Sequence, residues 1–210
     1  MTIPYYLTKE NYMKSRELIN EAIIARNRAY IIYIVSNLLH YNDIHGFIEA
    51  LQHCLELYLK ALWVLVGLKY PHDHNPAKDI EVINTRLIEV MPWLNNEPFY
   101  KEWEQWIKEK SKYYSSLHHK TIYGDEKTGI VASKYFTKED GSKINRDVHF
   151  VISFLSGAFL QIGALLETLS EKEREKLQAD IALRHELDKL GLDEILRKVI
   201  HTYLDYTRTL

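Results

Sequence analysis

Glu49, His53, Glu56 and Lys60 recur at four- and three-residue steps through an otherwise apolar run. At about 100° per residue they fall within roughly 60° of one another, forming one narrow stripe on a helix. Carboxylates, an imidazole and an ammonium at that spacing can line a ligand groove. They can equally do no more than face water, with Glu56 and Lys60 as a favourable i,i+4 pair. Both readings are open. A di-iron centre does not fit, because bundle di-iron sites use Glu-x-x-His pairs and the chain contains none.

Residues 108–123, KEKSKYYSSLHHKTIY, form a second group. Lys108, Lys110, Lys112 and Lys120 are opposed locally only by Glu109, and His118 and His119 add charge below neutral pH. Tyr113, Tyr114 and Tyr123 interleave with them. Cations for phosphates and flat rings for bases are what single-stranded nucleic acid binding requires. Lys112 and His119 share a face if the helix continues past them, whereas Lys112 and His118 do not. The competing reading is an ordinary helix end whose Lys and His side chains complement the dipole.

His72, Asp73 and His74 have zinc-ligand chemistry, but their spacing is unspecific. Asp73 and Asn75 serve equally as turn and cap residues, so we expect no metal and no other cofactor.

These residues must be carried by helices. Periodicity is clear over residues 15–41, where Leu18, Ala22, Ala25, Ala29, Ile32 and Ser36 recur. Residues 29–39 are apolar almost all round, which predicts burial on more than one side. Asp43 is positioned to cap a second helix over residues 44–66, and Gly67 to end it. Asn75 and Pro76 suit the start of a third helix, which ends near Pro92. A fourth helix is expected over residues 99–118, and 121–143 reads as a long loop with a small hairpin. Asn145 then caps an apolar helix to Leu169. Ser170 with Glu173 opens a charged helix, and a last amphipathic one runs over 192–206. The pattern predicts an all-α, up-and-down helical bundle forming one domain over 1–210.

The 210 residues carry a net charge of -2, so any nucleic-acid role rests on a local patch. Cys54 is the only cysteine, which excludes disulfide frameworks and thiolate zinc sites and fits a reducing compartment. The N-terminus lacks the basic start and apolar core of a signal peptide. The apolar stretch 57–68 is too short to span a bilayer. A soluble, cytoplasmic protein is expected, without membrane contact.

The order of features resembles the HEPN domain superfamily, of the archaeal and bacterial stand-alone type. Glu56-x-x-x-Lys60 on the second helix is followed by Gly67, Pro71, His74 and a third helix, and later by Tyr123-Gly124-Asp125 and residues 135–147. The resemblance covers residues 15–169, with 170–210 as a C-terminal addition. It implies a helical bundle that is usually a homodimer. It also implies either a toxin-type RNase with an Arg-x4-6-His motif or a noncatalytic partner of nucleotides, RNA or a nucleotidyltransferase. No arginine precedes a histidine at that spacing here. The nearest echo is Lys112 with His118 or His119. Lysine lacks the planar fork that grips a phosphate bidentately. A noncatalytic module is therefore expected to bind nucleotide, RNA or protein through Glu49, His53, Glu56, Lys60, Tyr113, Tyr114, Lys120 and Tyr123. A divergent metal-independent RNase using Lys112 and His118 or His119 is the alternative, and a purely structural assembly bundle the third.

Overall fold

The computed structural model describes residues 4–38, 43–69 and 80–166, with isolated positions 179 and 194. The chain divides into two compact units, 1–168 and 169–210. The helices expected from Ser170 onward, the His72-Asp73-His74 loop and the Asn75-Pro76 cap lie outside the described residues.

Among the described residues the first unit holds six helices: α1 (Lys9–Leu38), α2 (Ile44–Leu65), α3 (Ile80–Val90), α4 (Pro98–Tyr123), α5 (Ala132–Tyr135) and α6 (Lys138–Leu165). A 3-10 turn, Pro92–Asn96, joins α3 to α4. Among the described residues there is no strand, only an isolated bridge between Asp125 and Ile130. The fold is an all-α bundle.

The hub is α2. Its leucines and aromatics cover most of its circumference, so neighbours can bury it on several sides at once. Phe47, Ile48, Leu51, Leu55, Leu59, Leu62 and Trp63 are all buried, and α2 packs against α1, α4 and α6. Asp43 caps it, accepting a hydrogen bond from the Gly46 amide at 3.2 Å. Gly67 follows its end at φ 71°. A Cβ there would strike Tyr6, so the position demands glycine both for its conformation and for space.

That close approach belongs to a clamp on the N-terminal segment. The Tyr6 hydroxyl donates to the Glu89 carboxylate at 2.6 Å and to the Arg86 carbonyl at 3.1 Å. The Arg86 guanidinium lies over the Tyr6 ring, 4.7 Å from its centroid, and donates to the Val66 carbonyl.

Two expectations need correction. First, α1 is not buried on more than one side. It packs mainly on α2, and its outward apolar residues Ile24, Ile31 and Val35 are 59%, 61% and 45% exposed. Among the described residues of the run, Ala29 and Tyr33 are buried while Ile31 and Val35 stay exposed. Second, the loop expected over 121–143 shrinks to residues 124–131, with one antiparallel bridge, and helix takes up most of the rest. α4 runs unbroken to Tyr123, and α6 starts at Lys138 rather than after Asn145. Thr137 and Asp140 form a reciprocal capping box that nucleates α6 earlier than glycine content suggested. Gly141 sits inside α6 because a larger residue would meet Ile44 and Phe47 of α2.

Aromatic rings bind α4 to α6: Trp103 and Phe154 lie 4.5 Å apart, with Tyr100 against both. Helix α6 is long and apolar enough, by length and composition, to cross a membrane, a feature missed by attention to residues 57–68. Its Val148, Val151, Ile152 and Leu155 are buried in this bundle.

Candidate nucleic-acid interface

The polar stripe on α2 splits into two halves with different surroundings. In the lower half, Glu56 is buried. Its carboxylate accepts from Lys60 Nζ at 2.5 Å and from Gln52 Nε2 at 3.2 Å. Lys60 is itself only 17% exposed at the side chain. A carboxylate drawn this far from water must be offset by an opposite charge and further hydrogen bonds, which this arrangement supplies. In the upper half, Glu49 is half-buried and His53 exposed. They line an open groove of about 190 Å³ between α1 and α2. Its floor is Ala25, Gly46 and Ala50, and its rim adds Glu21 and Arg28 from α1. Those two rim residues were absent from the sequence reading. Their seven-residue spacing, on either side of Ile24, was the signal that could have found them.

The second group gathers where α4 ends. Because α4 is continuous, Lys112 and His119 lie on nearly the same face, while His118 is turned about 120° from Lys112. The Lys112 side chain lies outside the described residues. Of the other cations, Lys108 is held by Glu104 and Glu81, at 3.0 and 3.3 Å, and ties α4 to α3. Lys120 donates to the Tyr135 hydroxyl at 3.1 Å and lies over that ring. His118 is half-buried. His119 is 54% exposed at the side chain, 3.6 Å from the Glu126 carboxylate. Its ring stands 4.8 Å from that of Tyr123.

The tyrosines divide in the same way. Tyr114 is buried, lies tilted against Trp106 at 5.3 Å and donates to Asp147 on α6 at 3.1 Å. Burial, then the Asp147 charge, pushes its hydroxyl far above the ordinary phenol range. Tyr113 is 38% exposed, and burial with Asp140 and Asp147 nearby pushes its hydroxyl up to about 12. Tyr123 is 63% exposed.

The segment after Tyr123 is built to a fixed shape. Gly124 has φ 80°, and a Cβ there would come within 2.1 Å of the Ile130 carbonyl oxygen. The Asp125 amide donates to that same oxygen at 2.8 Å. The Asp125 carboxylate accepts from the Lys127 amide at 3.1 Å and the Thr128 hydroxyl at 2.9 Å. The Thr128 hydroxyl bond, first among the causes, lowers its pKa below the usual carboxylate range. This turn leaves Ile122, Ile130 and Val131 exposed beside Tyr123. Residues 108–147 hold nine Lys and Arg against six Asp and Glu, so this part is locally positive on a chain that is slightly negative overall.

Among the described residues no three His, Cys, Asp or Glu side chains gather as a metal site. A family model described as HEPN domain matches residues 32–158, more than half of the chain, from the second half of α1 into α6. No curated protein and no solved structure matches.

Proposed function

The chain belongs to the HEPN domain family, and from that premise we propose that it is a noncatalytic module that holds unpaired RNA at the end of α4. Family membership is consistent with nucleotide or RNA binding and with RNase-like roles. The observation that carries the choice is Tyr123, exposed on the last turn of α4 against His119 and fixed by the Gly124 turn. An exposed ring beside a second ring is a stacking platform for a base, and the local positive charge attracts the backbone. A mononucleotide would use only one such ring, whereas Tyr113, Tyr123 and the exposed Ile130 and Val131 offer a longer track.

Cleavage at a ribose calls for a histidine and a cation on the same phosphate. Here Lys108 and Lys120 have protein partners and the arginine of the family motif is missing. One observation favours the RNase reading: the continuity of α4, which aligns Lys112 with His119.

Fluorescence anisotropy with single-stranded and duplex RNA tests the proposal, beside a cleavage assay without added metal. Single-stranded RNA should bind more tightly than duplex, without being cut. Tyr123→Ala should weaken binding by about tenfold, the scale of one lost base stack. Equal affinity for wild type and Tyr123→Ala would sink the site. Cleavage that disappears in His118→Ala/His119→Ala would replace the module with the RNase.

A further inference from the structure

The carboxylates around Tyr123 are not equally committed. Of the six in residues 108–147, Glu109 accepts from Gln105 Nε2 at 2.7 Å, Asp140 closes the capping box with Thr137, and Asp147 accepts from Tyr114. Asp125 is held within its own turn by Lys127 and Thr128. Glu139 lies in the first turn of α6, where a carboxylate suits the helix dipole. Glu126 is different. Its side chain is 75% exposed, and it faces His119 at 3.6 Å, beyond hydrogen-bond length.

The same imidazole stands 4.8 Å from the Tyr123 ring. One histidine therefore neighbours both the stacking ring and an uncommitted carboxylate, and the edge of a base stacked on Tyr123 comes within reach of Glu126. The bond from the Asp125 amide to the Ile130 carbonyl, at 2.8 Å, closes the turn from which Glu126 projects. A carboxylate beside a phosphate track repels the backbone, so it serves binding there only by meeting donors. Base edges supply donors and phosphates do not. An ionised carboxylate is acceptor-only, through two oxygens side by side. Among the four RNA bases, guanine alone presents two adjacent donors on its Watson–Crick edge, N1–H and the N2 amino group. Adenine and cytosine present one amino group next to an acceptor nitrogen. Uracil presents a single N3–H between two carbonyl oxygens. That edge is open only in an unpaired strand.

We propose that Glu126 selects guanine: a guanine stacked on Tyr123 donates N1–H and N2–H to the two oxygens of the Glu126 carboxylate. The inference rests on the RNA site proposed above and adds a base preference to it. Stacking on Tyr123 accepts any base, since every base has a π-face, so the preference belongs to Glu126.

The test is fluorescence anisotropy on the full chain with a short uridine oligonucleotide carrying one guanosine, inosine, adenosine or cytidine at its centre. Guanosine should bind about tenfold more tightly than adenosine or cytidine, the scale of one bidentate contact to a base. Inosine keeps N1–H and lacks the N2 amino group, so it should fall between them. In Glu126→Ala, and in Glu126→Gln, which gives up one acceptor, the ratio of guanosine to adenosine affinity should drop towards unity. General loosening of the turn would weaken all the oligonucleotides alike and leave that ratio where it was. Tyr123→Ala should weaken every one of them. Equal affinities in the wild type overturn the inference, as does a guanosine preference that survives Glu126→Ala, and the RNA site stands in both cases. Binding of none of them removes the RNA site and the inference with it.

Discussion

Two polar groups on helices of this bundle, Gln52–Glu56–Lys60 on α2 and His119–Lys120–Tyr123 on α4, have nearly the same inventory: a cation and hydrogen-bonding neighbours at steps of one to four residues. Their fates differ. The α2 group is wrapped by the bundle, its carboxylate buried against a nearly buried ammonium. The α4 group lies where its helix runs out, with His119 and Tyr123 open to solvent. A buried pair is tied to stability, because either charge alone would be stranded. An exposed pair is worth little to stability and is free to serve a ligand. The same chemistry thus becomes structural or functional according to what the neighbouring elements cover.

Perturbing each region can break that contrast. The largest effect is expected from Lys60→Met, which removes the charge that offsets the buried Glu56 carboxylate. It should lose about 3 kcal/mol in urea denaturation, and Glu56→Gln/Lys60→Met should recover most of the loss. RNA affinity at α4, measured on the folded fraction, should not change. If Lys60→Met is neutral to stability but abolishes binding, the α2 group is the site and the contrast fails.

Gly124→Ala comes next. Forcing a Cβ against the Ile130 carbonyl at a positive φ should lose about 2 kcal/mol. Unlike Lys60→Met it should also lower RNA affinity, since the turn that fixes Tyr123 is remade. Tyr114→Phe should have the smallest effect, about 1 kcal/mol near neutral pH from the lost bond to Asp147. Its sharper signature is alkaline. The folded-state pKa of Tyr114 is raised, so its contribution is whole below the unfolded phenol value near 10 and falls away as pH rises above it. Wild type should therefore lose stability above about pH 10 more steeply than Tyr114→Phe, as followed by denaturation at a series of pH values.

Much of this was legible from residue patterns. Asp43 and Gly67 bounded α2 correctly, because a capping carboxylate and a left-handed glycine act locally. The Glu56–Lys60 pair was visible as an i,i+4 spacing, but not its burial, which depends on the helices packed around α2. The loop expected over 121–143 is present at 124–131, closed by an antiparallel bridge, but three glycines suggest a longer one than forms. Gly141 in fact relieves crowding between α6 and α2, and the Thr137–Asp140 box was overlooked in favour of Asn145. The run 29–39 reads as buried on more than one side, yet Ile31 and Val35 are exposed, since a sequence does not say how many sides of a helix have neighbours. Glu21 and Arg28 escaped notice because each looks like any solvated charge until α2 is placed beside it.

The Tyr6 clamp bears on the order in which the molecule assembles. The bonds from Tyr6 to Arg86 and Glu89 join positions 80 and 83 residues apart, whereas α1 and α2 are neighbours in sequence and meet across a short connection. Closing a long loop is entropically slower than zipping a local pair. The N-terminal segment should therefore latch after the rate-limiting barrier. Tyr6→Phe should then quicken unfolding in stopped-flow traces while leaving the refolding rate nearly untouched. The Tyr6 segment would be among the last to find its place.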